Sequence, residues 1–471
     1  MKALIDVKPT PEQLALFSRI KPGVEVIRGA AGSGKTTTAL LKLRSAAGFY
    51  LNRMKRASDR APVRVLVLTF NRTLKGYIEE LAKQQFKQDG TLILEVSTFS
   101  SWSVSLTGAN HIIDHNDARQ LIDKFGTALG LEDEFKFEEV QYVLGRFPPD
   151  QLSEYVTTRR VGRGALPRMP RSMREALLTE VITPYKNYKA ANKIHDWTDL
   201  ANWLAAKKKA SYDVVVVDET QDFSANELRA IMNQLSVAHT VTFVLDTTQR
   251  IYARSGFSWS EIGIQVGSEN SFKLSSNYRN TRQIASFAAA LLADVSTDDD
   301  GAIPDFSLAQ KDGPVPIVYR GGFPDQLAYV LRYIKESVNL NDESVAFLHP
   351  KGGGWFRSIR QALEANELKF VLITRRSNWP QGPENIVLST MHSAKGLEFD
   401  HVIIIGLDGE VVPIGDNEGS EEELDSLTRL RKLVAMAVGR ARKQVIVGFK
   451  PNDAPAIATY LNNKICQLID I

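Results

Sequence analysis

The stretch GAAGSGKTT, Gly29 to Thr37, follows the apolar run VEVIRG (Val24 to Gly29) and opens the helical pattern TTTALLKLRSA. A strand, a glycine-rich turn and a helix are the context in which this spacing holds a phosphate chain. Gly29, Gly32 and Gly34 let backbone N–H groups close on the phosphates, with Ala30, Ala31, Ser33 and Thr37 completing the turn. The helix N-terminus adds positive potential, Lys35 reaches the β- and γ-phosphates, and the Thr36 hydroxyl ligates magnesium. A glycine-rich turn with no ligand is the plain alternative, and the full spacing in the right context argues against it.

Working outward, the runs VRVLVLTF (Val63 to Phe70), LILEVSTF (Leu92 to Phe99), VVVVDE (Val214 to Glu219) and VTFVLD (Val241 to Asp246) share the character of the first. Val, Ile and Leu on both faces of short segments predict buried parallel strands of an α/β sheet. A second set follows Asp300: PVPIVY, SVAFLHP, FVLIT, NIVLST, HVIIIG and QVIVGF, separated by helical patterns such as PDQLAYVLRYIKESV. Two α/β sheets in tandem are expected. Between Trp102 and Ser211 the periodicity turns helical, and strand character resumes at Tyr212, so this segment reads as an insertion into the first sheet. The expected boundaries are 1–102 with 211–272 for the first domain, 103–210 for the insertion and 273–471 for the second domain.

Apolar residues make up 43% and charged residues 24% of the chain, as in ordinary soluble proteins, and no apolar run is long enough to span a bilayer. The opening MKALIDVKPT lacks the pattern of a signal peptide and Cys466 is a lone cysteine, which together lead us to expect a cytoplasmic protein. Net charge is only +3. It is unevenly spread: Tyr155 to Ala210 holds twelve basic and four acidic residues, the excess a polyanion would attract.

The segment VVVVDETQD supplies the second half of a nucleotide site. Asp218, at the end of a buried strand, is placed to hold magnesium, and Glu219 to orient an attacking water. Paired carboxylates at a strand end can also be solvated caps, but the four-valine lead-in and the matching phosphate loop count against that reading.

At this point the chain resembles the superfamily 1 helicases of the UvrD, Rep and PcrA type, over both α/β regions and with the motifs in the family's order. The resemblance implies two tandem RecA-like parallel-sheet P-loop motor domains, with ATP and magnesium as cofactors. It implies that Gln13 reads the adenine edge, that Asp218, Glu219, Gln221 and Asp222 form the DExQD box, and that Gln249 in LDTTQRIY senses the γ-phosphate. It implies that Tyr278 in NYR stacks on adenine and that Arg279 touches the γ-phosphate. In STMHSAKGLEFD, Glu398 corresponds to the ribose contact, while Thr390 and His392 lie towards the nucleic acid. Arg440 in AMAVGRAR takes the place of a second arginine finger, a group that can contribute about 10³–10⁵ in rate. The strand-facing positions implied are Phe70 and Asn71 in LTFN, Thr98 and Phe99 in STFSSW, and Tyr252. Trp102, Trp197, Trp203 and Trp259 could stack on bases too, although aromatic residues at helical spacing are more often core.

The chain departs from the family pattern in places. Arg250 replaces a serine and Arg254 an aromatic residue, so that Arg254, Phe257 or Trp259 would have to serve the base that an aromatic ring usually holds. Gly439 stands where threonine is usual and Ala435 where tyrosine is common. Residues 280–389 leave no room for the helical domain that larger members insert in the second sheet. The expectation is therefore a compact ATPase and DNA helicase that translocates on single-stranded DNA, 3′ to 5′, a monomer in isolation, with unwinding and regulation left to a partner protein or nuclease. An ATP-gated sensor subunit of a nuclease-linked complex and a motor on RNA stay open as alternatives.

Overall fold

The computed structural model describes residues 13–14, 16, 20–29, 33–57, 61–69, 75–76, 78–79, 90–160, 169–246, 257–274, 277–295, 309–374, 379–380, 382–407, 421–462 and 464–470. Within these, the side chains of Thr36, Ala57, Asp246, Asn277, Tyr278, Gln310 and residues 421–426 lie outside the description.

The first sheet is formed by β1 (Gly23–Gly29), β2 (Val63–Thr69), β3 (Leu92–Thr98), β4 (Tyr212–Val217), β5 (Leu235–Asp246) and β6 (Ser271–Leu274). They lie in the order β3-β2-β4-β5-β1-β6, every pair parallel. Buried valines on both faces of β4 match its central place, since a strand covered on both sides has no polar face to show. A short ladder of β7 (Asn277–Thr281) with β8 (Ala309–Lys311) leads into the second sheet. That sheet contains β9 (Ile317–Arg320), β10 (Val345–His349), β11 (Phe370–Leu372), β12 (Ile386–Thr390), β13 (Phe399–Ile404), β14 (Ala441–Phe449) and β15 (Gln467–Asp470). Its order is β11-β12-β10-β13-β14-β9-β15, again parallel throughout. The expected α/β architecture of two tandem RecA-like sheets is thus present. Four short strands, β6, β7, β8 and β15, carry too little apolar sequence to have been read as strands.

One cluster of buried apolar residues runs from Ile27, Val65 and Val214 of the first sheet through Phe287 and Leu291 to Val402 and Val447 of the second. The helices between His115 and Asn192 hold a separate core around Ile122, Phe135, Val143, Leu177 and Tyr185, while those at Phe99–Thr107 and Trp197–Ala206 pack against the first sheet. Within that segment the helices Arg171–Ala176 and Thr183–Asn192 are joined by a π-helical stretch, Leu177–Ile182. Pro184 has no N–H to give the preceding turn, and the wider π turn, with Thr183 Oγ1 donating to Leu178 O at 2.8 Å, absorbs that loss. No helix among the described residues is long and apolar enough to cross a membrane.

Part of the positive charge of this segment is internal. Arg160 donates to the fully buried Glu139 at 2.9 and 2.8 Å. Arg174 donates to the carbonyls of Met169, Tyr155 and Thr158, and Lys189 lies 2.6 Å from both Asp196 and Asp199. Three of the twelve charges expected to attract a polyanion thus satisfy buried partners instead, because a buried charge left unpaired is costly. Arg163 and Arg168 lie outside the described residues.

Candidate nucleotide and nucleic-acid site

At the end of β1 the turn is packed too tightly for side chains. A Cβ on Gly29 would run into Ser33 Oγ, and one on Gly34, whose φ is +76°, would come within 2.5 Å of Gln13 Nε2. Gly34 O accepts from Thr38 N at 2.9 Å, from Thr38 Oγ1 at 2.9 Å and from Gln13 Nε2 at 3.2 Å. Gln13, 3% exposed, also donates to Thr38 Oγ1 at 3.0 Å. Its amide therefore braces the phosphate turn. The helix Lys35–Ala57 starts with Lys35 and carries no acid in its first turn, so nothing offsets the positive potential of its N-terminus. These features suit a polyphosphate chain. Among the described residues no group of three or more His, Cys, Asp or Glu could hold a metal.

β4 delivers the second component. Asp218 N donates to Leu68 O at 2.9 Å, which extends the β2–β4 ladder by one residue and holds Asp218 at the sheet edge, 2% exposed. The chain then turns sharply, with Glu219 at φ +53°, a conformation that costs a non-glycine residue about 1–2 kcal/mol. Asp218 Oδ1 accepts from Glu219 N at 3.0 Å, Asp222 N donates to Glu219 O at 2.9 Å, and the Gln221 amide donates to the Glu219 carboxylate. The strain is held by a closed set of short-range bonds.

The second sheet reaches this turn through one residue that sequence reasoning passed over. Lys395, in the connection from β12 to β13, is 2% exposed, with its ammonium on the Asp222 carboxylate and 3.7 Å from Glu219 Oε2. The available signal was a lone lysine between the buried Ala394 and Leu397, which needs a carboxylate from elsewhere.

Three residues further on, Glu398 accepts from two arginines: Arg279 on one oxygen, and Arg442 on the other at 2.6 and 3.2 Å. Burial alone would raise this carboxyl, but the two guanidinium groups outweigh it and bring its pKa to about 2. Asn280 donates to Gly439 O at 3.1 Å and to Ala441 O at 2.6 Å, while Arg279 Nη1 lies 3.5 Å from Gly439 O. β7 is thereby fastened to the turn that carries Arg440, itself 4% exposed. Arg279, Glu398 and the unforeseen Arg442 therefore form one ion-paired group, beside the turn that carries Arg440.

The nucleic-acid positions divide. Phe99 is 4% exposed, tilted against Trp102 and edge-on to Phe223, so it is a core residue and the expectation of a strand-facing ring there is corrected. It opens a helix, and the face it presents is the one that covers the sheet. Trp102 is also core, its indole donating to Tyr212 OH at 3.1 Å. Thr98 caps the helix Phe99–Thr107 by accepting from Ser101 N at 3.3 Å. Thr390 Oγ1 donates to Ser393 Oγ at 2.9 Å. Burial, and then the charge of Lys395, lower the pKa of His392, which keeps it neutral. Ala30, Ala31, Gly32, Phe70, Asn71, Gln249, Tyr252 and Arg254, with the side chains of Thr36 and Tyr278, lie outside the described residues.

A phosphate turn and a strand-end carboxylate on one parallel sheet, facing a lysine and an arginine group from a second, define a tandem RecA-like P-loop protein. Residues 10–272 match the family described as UvrD/REP helicase N-terminal domain and residues 374–450 the UvrD-like helicase C-terminal domain, so the chain belongs to the UvrD/REP helicase family. It is similar to a "Probable DNA helicase II homolog" of Mycoplasma capricolum, 24% identical over 77% of this chain and 51% of that protein. It is also similar to a "Probable DNA helicase" of Mycoplasma pneumoniae, 23% identical over 55% of this chain and 49% of that protein. The chain spans about half the length of these relatives. A solved structure of the C-terminal domain of a possible DNA helicase from Lactobacillus plantarum aligns with 41% of this chain and 99% of that one, at 20% identity and a TM-score of 0.29.

Proposed function

We propose that this protein is an ATP-dependent translocase and helicase on single-stranded DNA, moving 3′ to 5′, with its nucleotide held between the two sheets. The observation that carries the reading is the buried contact of Lys395 with Asp222 and Glu219, which ties the carboxylates of one sheet to the position of the other. A binding module with no stroke has no need of such a contact. ATP with magnesium supplies the phosphoanhydride whose cleavage drives the motor. Lys35 and the turn N–H groups bind its phosphates, Asp218 and Thr36 hold the metal, Glu219 orients a water, and Gln249, Arg279 and Arg440 offset charge at the γ-phosphate. Gln13, Tyr278 and Glu398 keep the nucleoside end. Arg279 must then exchange its bond to Glu398 for one to phosphate, so nucleotide binding and the arrangement of the second sheet are linked.

In this reading residues 1–102 with 211–272, 103–210 and 273–471 are the working units. The strand runs past Phe70, Asn71, Thr98, Tyr252, Arg254, Thr390 and His392, and the protein acts as a monomer in the cytoplasm, with a partner protein or nuclease to assist it. The printed names of the two relatives support DNA as the track. The test has two parts. ATP turnover is measured without nucleic acid, with single-stranded DNA and with RNA, and with Lys35→Ala; a many-fold rise with DNA that the variant abolishes is expected. Strand displacement is then followed on duplexes with 3′ or 5′ tails, with ATP or a non-hydrolysable analogue. Turnover indifferent to DNA sinks the motor, and tight ATP binding without turnover transfers the protein to the sensor class.

A further inference from the structure

A groove of about 700 Å³ opens on the helical insertion, away from the nucleotide site. Its floor is apolar: Leu144, Phe147, Leu152, Ile194 and Trp203. One wall is cationic, with Lys186 and Lys193 on the lip and Lys207 and Lys209 beside it, their ammonium groups 5.2 and 5.1 Å from the centre of the Trp203 ring. None of these four lysines forms an ion pair among the described residues, in contrast to Lys189 beneath them, which Asp196 and Asp199 hold. The groove is preformed. Asn226, 1% exposed, donates to the carbonyls of Leu144 and Phe147 at 2.9 Å each, which fixes the floor to the helix Ala225–Asn233. Lys193 sits at the end of the helix Thr183–Asn192 with φ +54°, a position that glycine or asparagine fills most easily. A lysine kept there at the cost of a strained backbone places a charge on the lip.

We propose that this groove is a docking site for an acidic, amphipathic segment of a partner protein, with leucine or phenylalanine side chains on the floor and carboxylates along the lysine wall. Charge complementarity with these four lysines selects the acidic segment. The apolar floor selects against nucleic acid. Bases need polar edges or an open aromatic face, and here the Trp203 ring is flanked by two ammonium groups, while Thr198, Asn202 and His195 are the polar side chains in the lining besides the lysines and the Asp199 that Lys189 holds.

The experiment uses the full chain without nucleotide, so that a failed motor assay leaves it intact. The probe is a fluorescein-labelled 16-residue helical peptide with leucine and phenylalanine on one face and glutamate on the other, followed by anisotropy. Micromolar binding is expected, at least tenfold weaker for Lys186→Glu/Lys193→Glu and for a peptide with serine in place of its apolar residues. Leu152→Ser, checked for an unchanged melting temperature, should weaken binding similarly. Absence of binding up to millimolar protein, or equal binding by all variants, overturns the proposal. Displacement of the peptide by a 15-nucleotide thymidine strand, lost in the same lysine variants, overturns it in favour of nucleic acid.

Discussion

Lys395 and Asp222 lie 173 positions apart in the chain, on different sheets, and form a buried ion pair, with exposures of 2% and 0%. Removing one partner leaves the other as an uncompensated buried charge, which typically costs about 3–5 kcal/mol. Lys395→Met should therefore lower stability by that order, and Asp222→Asn in the same chain should recover part of it. Urea unfolding of the two single variants and the double variant measures this, and a coupling energy below about 0.5 kcal/mol would deny the pair its structural role.

Glu398 carries a depressed pKa of about 2, so the folded chain binds a proton there less readily than the unfolded chain. The stabilisation is present above the ordinary carboxyl range and is lost as pH falls through about 2. Glu398→Gln should flatten the fall in stability on acidification below pH about 4.5. Melting temperatures of both proteins across that range provide the comparison, and parallel curves would count against the double-arginine account.

His392 and His401 shift the other way on the charge scale. Burial lowers both pKa values, with the Lys395 charge adding at His392, while Glu343 opposes the shift at His401. Each imidazole is held neutral in the folded state, so stability is full above about pH 6.5 and declines as pH falls below it. His392→Asn should reduce this decline between pH about 6.5 and 5, as read by chemical denaturation at a series of pH values.

Gln13 and Gly34 are in contact across the phosphate turn. Gly34→Ala meets the Gln13 amide and also forces alanine to φ +76°, a strain of about 1–2 kcal/mol. ATP affinity should fall more than tenfold. Gln13→Ala in the same chain should relieve the collision while the backbone strain remains, so that recovery measured by a fluorescent nucleotide is partial. Full recovery would mean that φ does not matter.

Phe99 separates a core role from a strand contact. A buried ring of this kind costs about 3–5 kcal/mol when cut to alanine. Phe99→Ala should lose stability of that order, and Phe99→Leu should keep DNA affinity within about twofold while losing less stability. A large loss of DNA affinity in a stable Phe99→Leu protein would restore the ring to the strand.

The parallel strands were legible because Val214 to Val217 and their like are apolar on both faces, a pattern that has few other uses. The phosphate turn was legible because glycine spacing encodes backbone approach, which is a local property. What could not be read was pairing at a distance. Counting charges from Tyr155 to Ala210 overstated the charge left free because Glu139, the partner of Arg160, lies before that window, and because the count cannot tell Lys189, held by Asp196 and Asp199, from the exposed Lys193. Phe99 was misplaced for a related reason: its neighbours Trp102 and Phe223 show that it faces inward, and Phe223 is distant in sequence.

The apolar cluster that continues from Ile27 to Val447 joins the two sheets only thinly, because the elements in substantial contact all pair within one half of the molecule or within the other. A seam of that kind yields before either sheet deforms, so the two halves can shift against one another at smaller cost than either can be bent.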